Sequence, residues 1–242
     1  MYTFTTAQFP TAHRLQFVLL TGLLLIALLG SQARLAQLAP RATPANPVAS
    51  IEPALSAAQP RLPLSFMPNV GQSAPGVQME ARVAEGAVQF SATEMTVRAA
   101  PSSPALRVQF VHANAGGRVD GVMPLPGVVN FYAGAEPAGW REGAPTYAGV
   151  RYAELYPGTA LVYTGDATRI KGTYTLAAGA DPARIRWQYA GAEGARIDAA
   201  SGDLHIQLAG AQLVERAPVA WQILDGRQIA VDVRFHAVGA GV

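Results

Sequence analysis

Residues 221–235 read WQILDGRQIAVDVRF. Apolar and polar residues alternate on both sides of Asp225-Gly226, and that dipeptide supplies the positive-φ pair of a two-residue hairpin turn. The stretch therefore predicts two antiparallel strands joined tightly. The same alternation recurs upstream in GVQMEARVA (76–84), ALRVQFVHA (105–113), GVVNFYAG (127–134), ALVYTG (160–165) and IKGTYTL (170–176). It continues in ARIRWQYAG (183–191), DLHIQLAG (203–210) and APVAWQIL (217–224).

Turn residues separate these runs at intervals of about ten, as in GADPARI (179–185) and DAASGDLHI (198–206). This spacing predicts an all-β, antiparallel, sandwich-like domain over residues 61–242. It is compatible with one sheet system or with two β subdomains meeting near residues 135–145, where Gly, Pro and Ala concentrate. No segment after residue 60 holds a helical period over three turns. RYAELY (151–156) allows one helical turn at most, and GWREGAPTY (139–147) reads as a loop.

Upstream the chain changes character. LQFVLLTGLLLIALLG (15–30) follows His13 and Arg14 and precedes SQA (31–33). A positive flank, an apolar stretch and a small-residue site follow the order of an export signal. Residues 1–33 are thus expected to be a signal peptide cleaved after Ala33, or an uncleaved membrane-anchor helix. Either way the protein is expected outside the cytoplasm, in the periplasm, at the cell surface or secreted, and membrane contact would come only through 15–30. Residues 34–60, dominated by Ala and Pro, predict a flexible or partly polyproline linker.

The chain has 242 residues and a net charge of +2, with 17 Arg and the lone Lys171 spread along it. Dispersed Arg predicts no nucleic-acid surface. Cysteine is absent, which removes disulfides, thiolate metal sites and thiol nucleophiles.

LPLSFMPNVGQ (62–72) marks where the linker gives way to the domain. Pro63 and Pro68 stiffen it, Asn69 and Gly71 suit a turn, and Phe66 is the expected apolar plug. With RVDGVMPLPGVVNFYAGAEPAGWREGAPTYAGVRYAELYPGTALVYTGD (118–166), the run around 177–208 and APVAWQILDGRQIAVDVRF (217–235), it resembles a known family. That family is the N-terminal β-rich domain of unknown function found in bacterial secreted proteins with SBBP repeats, a β-propeller type. The likeness covers about residues 62–236. It implies a non-catalytic envelope module beside a propeller, with propeller repeats or another envelope protein as partner. Met67, Gly172 and Thr175 stand where the family would carry acids. No propeller repeat follows HAVGAGV (236–242), so the sequence reads as a module cut short, whose unpaired sheet edge invites self-association.

Searching for chemistry leaves little. No nucleophile elbow or phosphate loop occurs, and Lys171-Gly172-Thr173 lacks the preceding glycines. His13, His112, His205 and His236 are far apart in sequence, and GDATR (165–169) is too poor in acids for a calcium loop. Catalytic, metal and cofactor residues are therefore expected to be none. Glu136, Glu142, Glu154 and Asp166 are the least unsuitable carboxylates for a remote hydrolase reading. Seven aromatics lie between Phe131 and Tyr163; most are expected to fill the core. Trp140, Tyr147, Tyr152 and Tyr156 form the candidate interaction surface, with a glycan as the alternative ligand because aromatic faces stack on sugars.

Overall fold

The computed structural model describes residues 2–6, 16–27, 64–83, 86–98, 103–166 and 169–238, the first two segments by backbone only. The linker and the cleavage site after Ala33 lie outside these residues. The chain is almost wholly antiparallel β, curled into a half-barrel. In chain order the strands are β1 (Tyr2–Thr6), β2 (Gln16–Ala27), β3 (Phe66–Pro68), β4 (Met79–Val83), β5 (Gly86–Ser91) and β6 (Glu94–Arg98). They continue with β7 (Leu106–Phe110), β8 (Val119–Phe131), β9 (Arg141–Tyr156), β10 (Thr159–Asp166), β11 (Arg169–Leu176) and β12 (Arg186–Ala190). The last are β13 (Gly194–Ile197), β14 (Leu204–Leu208), β15 (Ala211–Glu215), β16 (Val219–Leu224), β17 (Arg227–Val231) and β18 (Val233–Ala237).

The Asp225-Gly226 hairpin is present. Leu224 pairs with Arg227, and both central residues take positive φ, 50° and 76°. Each alternating run read from the sequence carries a strand. Three details differ from expectation. The 151–156 segment is strand rather than a helical turn. The 139–147 loop becomes strand from Arg141 onward. Residues 16–27 form β2, between β11 on one side and β15 and β16 on the other, not a helix. An apolar run without polar alternation carries no period, and periodicity alone does not separate strand from helix there. Among the described residues no helix is long and apolar enough to cross a membrane.

β9 organises the sheet. One edge pairs with β8, from Val119 opposite Tyr152 to Phe131 opposite Arg141. Its other edge pairs first with β3, at Phe66 opposite Tyr147, then with β10. β4, β5, β6, β7 and β12 follow from β3 by successive pairing. Residues 135–145 fall at the tip of the β8–β9 hairpin. Inward-facing residues from Leu64 to Phe235 form one contiguous buried cluster. Aromatic rings run through it in sequence: Phe66 to Phe90 at 5.8 Å, Phe90 to Tyr163 at 5.5 Å, Tyr163 to Tyr152 at 6.4 Å, Tyr152 to Phe110 at 5.5 Å.

The segment after Phe66 is held by one side chain. Asn69 Oδ1 accepts from the Gly71 and Ser73 amides at 3.0 and 3.1 Å. Its Nδ2 donates to the carbonyls of Ser73, Ala74 and Val77 at 3.3, 3.2 and 2.9 Å. Gln72 completes the loop, accepting from Val70 N and donating to Pro68 O. The Pro-Asn-x-Gly-Gln phrase is thus a self-satisfied loop that leaves Phe66 free to enter the core.

Asn69→Ala removes all five bonds and leaves loop amides unsatisfied. It is expected to cost about 2–3 kcal/mol and to lower Tm by roughly 5–10 °C in a domain of this size. A melting curve unchanged from wild type would show that the loop is held some other way.

Candidate functional site

The four aromatic candidates separate into two environments. Tyr152 and Tyr156 are each 2% exposed. Their hydroxyls are satisfied internally: Tyr152 Oη donates to Glu94 O at 3.3 Å and Tyr156 Oη donates to Arg186 O at 2.7 Å. Burial raises both hydroxyl pKa values, that of Tyr156 to about 12. They are core residues. Tyr147 is half-buried, and its ring lies against Gly121, where a β-carbon would come within 2.3 Å of Tyr147 Cδ2.

Trp140 is different. It is 38% exposed and meets Tyr132, 57% exposed, edge to face at 5.1 Å. Trp140 Nε1 donates to Gly134 O at 3.3 Å, and Tyr132 Oη donates to Glu142 Oε1 at 3.0 Å. That bond raises the Tyr132 hydroxyl above its ordinary pKa. Asn130 Oδ1 accepts from Gly143 N, and Arg141 reaches the carbonyls of Val70, Ala138 and Trp140. The pair therefore sits on a braced tip, with Met123 and Val128 also exposed along the hairpin. Tyr132 belongs with Trp140 in any surface at this tip. Sequence alone gave it the alternation of a core strand.

Among the described residues the only strand in register with β8 is β9; at the start of its outer edge Val119 N donates to Gln78 Oε1 at 2.9 Å, and no strand pairs with the rest of it. Pro124 and Pro126 lie in that edge, and a bulge falls between Pro124 and Val128. Proline offers no amide to an incoming strand, so this edge is guarded against strand addition. Contacts made by the hairpin must come through side chains.

A second feature is an open cleft of about 420 Å³ lined by Val111, His112, Tyr156, Asp181, Ala183, Arg184 and Arg186. It forms where the turn after β7 meets a 3-10 turn, Pro182–Arg184, before β12. Val111 N donates to Arg186 O at 2.9 Å and joins the two walls. His112 sits in left-handed backbone, φ 59°, a conformation uncommon outside glycine.

The remaining candidates are dispersed. His205 is half-buried on β14, with Nδ1 lacking a partner among the described residues, and His236 is exposed on β18. His13 lies outside the described residues. Among the described residues no group of three His, Asp or Glu could hold a metal. Glu136 and Glu154 are exposed, and Glu142 is engaged by Tyr132.

One titratable group is displaced inward. Glu215, at the end of β15, bonds the Tyr189 hydroxyl, which also accepts from Trp187 Nε1 at 2.8 Å. Burial pushes the Glu215 carboxyl up to about 7, while the Tyr189 bond acts in the other direction.

The described residues thus form an antiparallel β domain with a braced aromatic hairpin and an open cleft lined by two arginines. Residues 66–242 match the family described as Domain of unknown function (DUF7948), and the chain belongs to that family. No curated protein and no solved structure matches the chain.

Glu215 holds its proton to higher pH when folded than when unfolded, where an ordinary value of 4.5 applies. The folded state thus binds more protons between about 4.5 and 7. This group's contribution is greatest below that window and is lost as pH rises through 7. Denaturant melts are expected to show about 1–3 kcal/mol of stability lost across it, and Glu215→Gln should flatten that slope. An equal slope in the variant would assign it to another group.

Proposed function

We propose that the protein is a non-catalytic, exported contact module of the bacterial envelope. It works as an N-terminal structural, adhesion or assembly domain of a propeller-type surface protein. The observation that carries this reading is the β8–β9 hairpin. It extends past the core and presents an exposed Tyr132–Trp140 pair on a tip fixed by hydrogen bonds. Rigid aromatic area with few rotamers is the usual anchor of a protein interface. The order of positive flank, apolar run and small-residue site in 13–33 supports export. The ordered likeness to the domain preceding SBBP repeats supports a propeller neighbour.

A glycan is the second reading. It rests on the same pair, with the Glu142 carboxylate beside it as an acceptor for sugar hydroxyls. The rings meet edge to face, which leaves Trp140 rather than a two-ring platform for stacking.

A photo-reactive residue at position 140 of the full chain, in its own host, tests the first reading. Fractionation with intact mass accompanies it. The expected result is a protein outside the cytoplasm, cross-linked to an envelope protein or a propeller segment, with yield reduced several-fold by Tyr132→Ala. Stability should change by under about 1 kcal/mol in that variant, since the ring is mostly exposed. A full-length cytoplasmic protein without adducts would overturn the reading. Binding on a glycan array that Trp140→Ala abolishes would favour the second.

A further inference from the structure

We propose that the cleft between the turn after β7 and the Pro182–Arg184 turn binds a small hydroxylated organic acid of the uronic-acid class. This site is separate from the hairpin tip and does not depend on its role.

Charge carries the first part of the argument. Arg184 is exposed and Arg186 half-buried, and neither has an ion-pair partner among the described residues. Some arginines are ion-paired, Arg118 to Asp120 at 2.9 Å, Arg216 to Asp203 at 2.8 Å and Arg196 to Asp198 at 3.7 Å, whereas others such as Arg107 and Arg151 are not, among the described residues; Arg184 and Arg186 differ from those in lining one cleft. Arg186 is anchored through Nε, which donates to Ala183 O at 2.9 Å. Its terminal nitrogens have no acceptor among the described residues, so the end of the guanidinium fork remains for a ligand. Guanidinium forks pair with carboxylates through two parallel bonds.

The rest of the lining narrows the ligand. Asp181 is the one acid lining the cleft among the described residues, and its Oδ1 accepts from Ala183 N at 2.9 Å. Oδ2 is left to accept from a ligand hydroxyl. Two arginines with one half-used carboxylate suit a molecule bearing an acid group and donors together, rather than a bare anion. Tyr156 and Val111 give an apolar wall. The Tyr156 hydroxyl is already saturated: it donates to Arg186 O and accepts from Arg186 N at 3.3 Å. The wall is thereby fixed, since the same residue that offers the fork holds the ring. His112 stands at the rim in a backbone conformation that non-glycine residues adopt at a cost. A volume of about 420 Å³ accommodates one sugar-sized acid.

The test is titration of the full chain with glucuronate, galacturonate, glucose, acetate and inorganic phosphate, followed by calorimetry or amide shifts. The expected result is saturable uronate binding that weakens with added salt and exceeds acetate by at least about tenfold, with glucose silent. Arg184→Ala and Arg186→Ala should each weaken it by about tenfold or more, the worth of a charged hydrogen bond. Asp181→Asn should narrow the gap between uronate and acetate. Arg184→Ala is the safer variant, because Arg186 also anchors the wall; a matching melting curve confirms its fold. Uronate no tighter than acetate or phosphate would mean an adventitious ion only and would overturn the proposal. Absence of uronate binding, or binding indifferent to Arg184→Ala with the fold intact, would overturn it as well.

Discussion

Everything in this fold passes through the two edges of β9. One strand of sixteen residues pairs with β8 along one side and hands over from β3 to β10 along the other. At the handover three backbones approach closely, and side chains must be absent. Gly149 pairs with Thr164 on one side and Val122 on the other. A β-carbon there would lie 2.9 Å from Tyr163 O and 2.8 Å from Met123 Cε. Gly121, one pair along, makes room for the Tyr147 ring in the same way. Close approach explains glycine at both positions, which carry no positive φ. Leu64 N donating to Gly165 O extends the β3 side onto β10, so the self-bonded Asn69 loop and the central strand stabilise the same junction.

The same strand divides the aromatics. Past the handover, β9 is covered on its inner face, and Tyr152 and Tyr156 enter the core. Before it, the strand has only β8 for a neighbour over most of its length: Ala144 and Thr146 on one face are buried, while Arg141, Gly143 and Pro145 on the other are exposed. A tyrosine in the core must spend its hydroxyl internally, which Tyr152, Tyr156 and Tyr189 all do. At the tip, Tyr132 spends its hydroxyl on Glu142 and leaves its ring exposed. Position along one strand, rather than residue type, therefore decides which aromatics are available to a partner.

This is also where the sequence stopped being legible. The Asp225-Gly226 turn was readable because positive φ at two positions demands such residues. The alternating runs were readable because each strand buries one face. The β5–β6 hairpin escaped notice because its Ala92-Thr93 turn carries no Gly, Pro or Asn signal. β9 escaped because Gly143, Pro145 and Gly149 look like loop residues, whereas here they occupy a peripheral hairpin and a crowded crossing. β2 escaped because its twelve residues, apolar except at Gln16, Thr21 and Gly22, have no period to read. The cleft depends on residues 111–112 and 181–186 meeting across β7 and β12, a long-range pairing that no local pattern encodes. Glu215 likewise looks like a surface residue until β15 carries it among tyrosines.

The arginine excess finds its explanation at the same level. Arg141 closes the hairpin tip on three carbonyls, and Arg98 donates to Ser103 O. Arg216 meets the buried Asp203, whose other oxygen accepts from Ala217 N, and Arg82 lies 4.0 Å from the buried Glu80. Each joins an exposed guanidinium to a buried carboxylate. Their effect is positional: a five-donor fork on a long stem joins turns that share no strand. Against that background Arg184 and Arg186 are two of the arginines without an ion pair among the described residues, and both line one cleft together with Asp181.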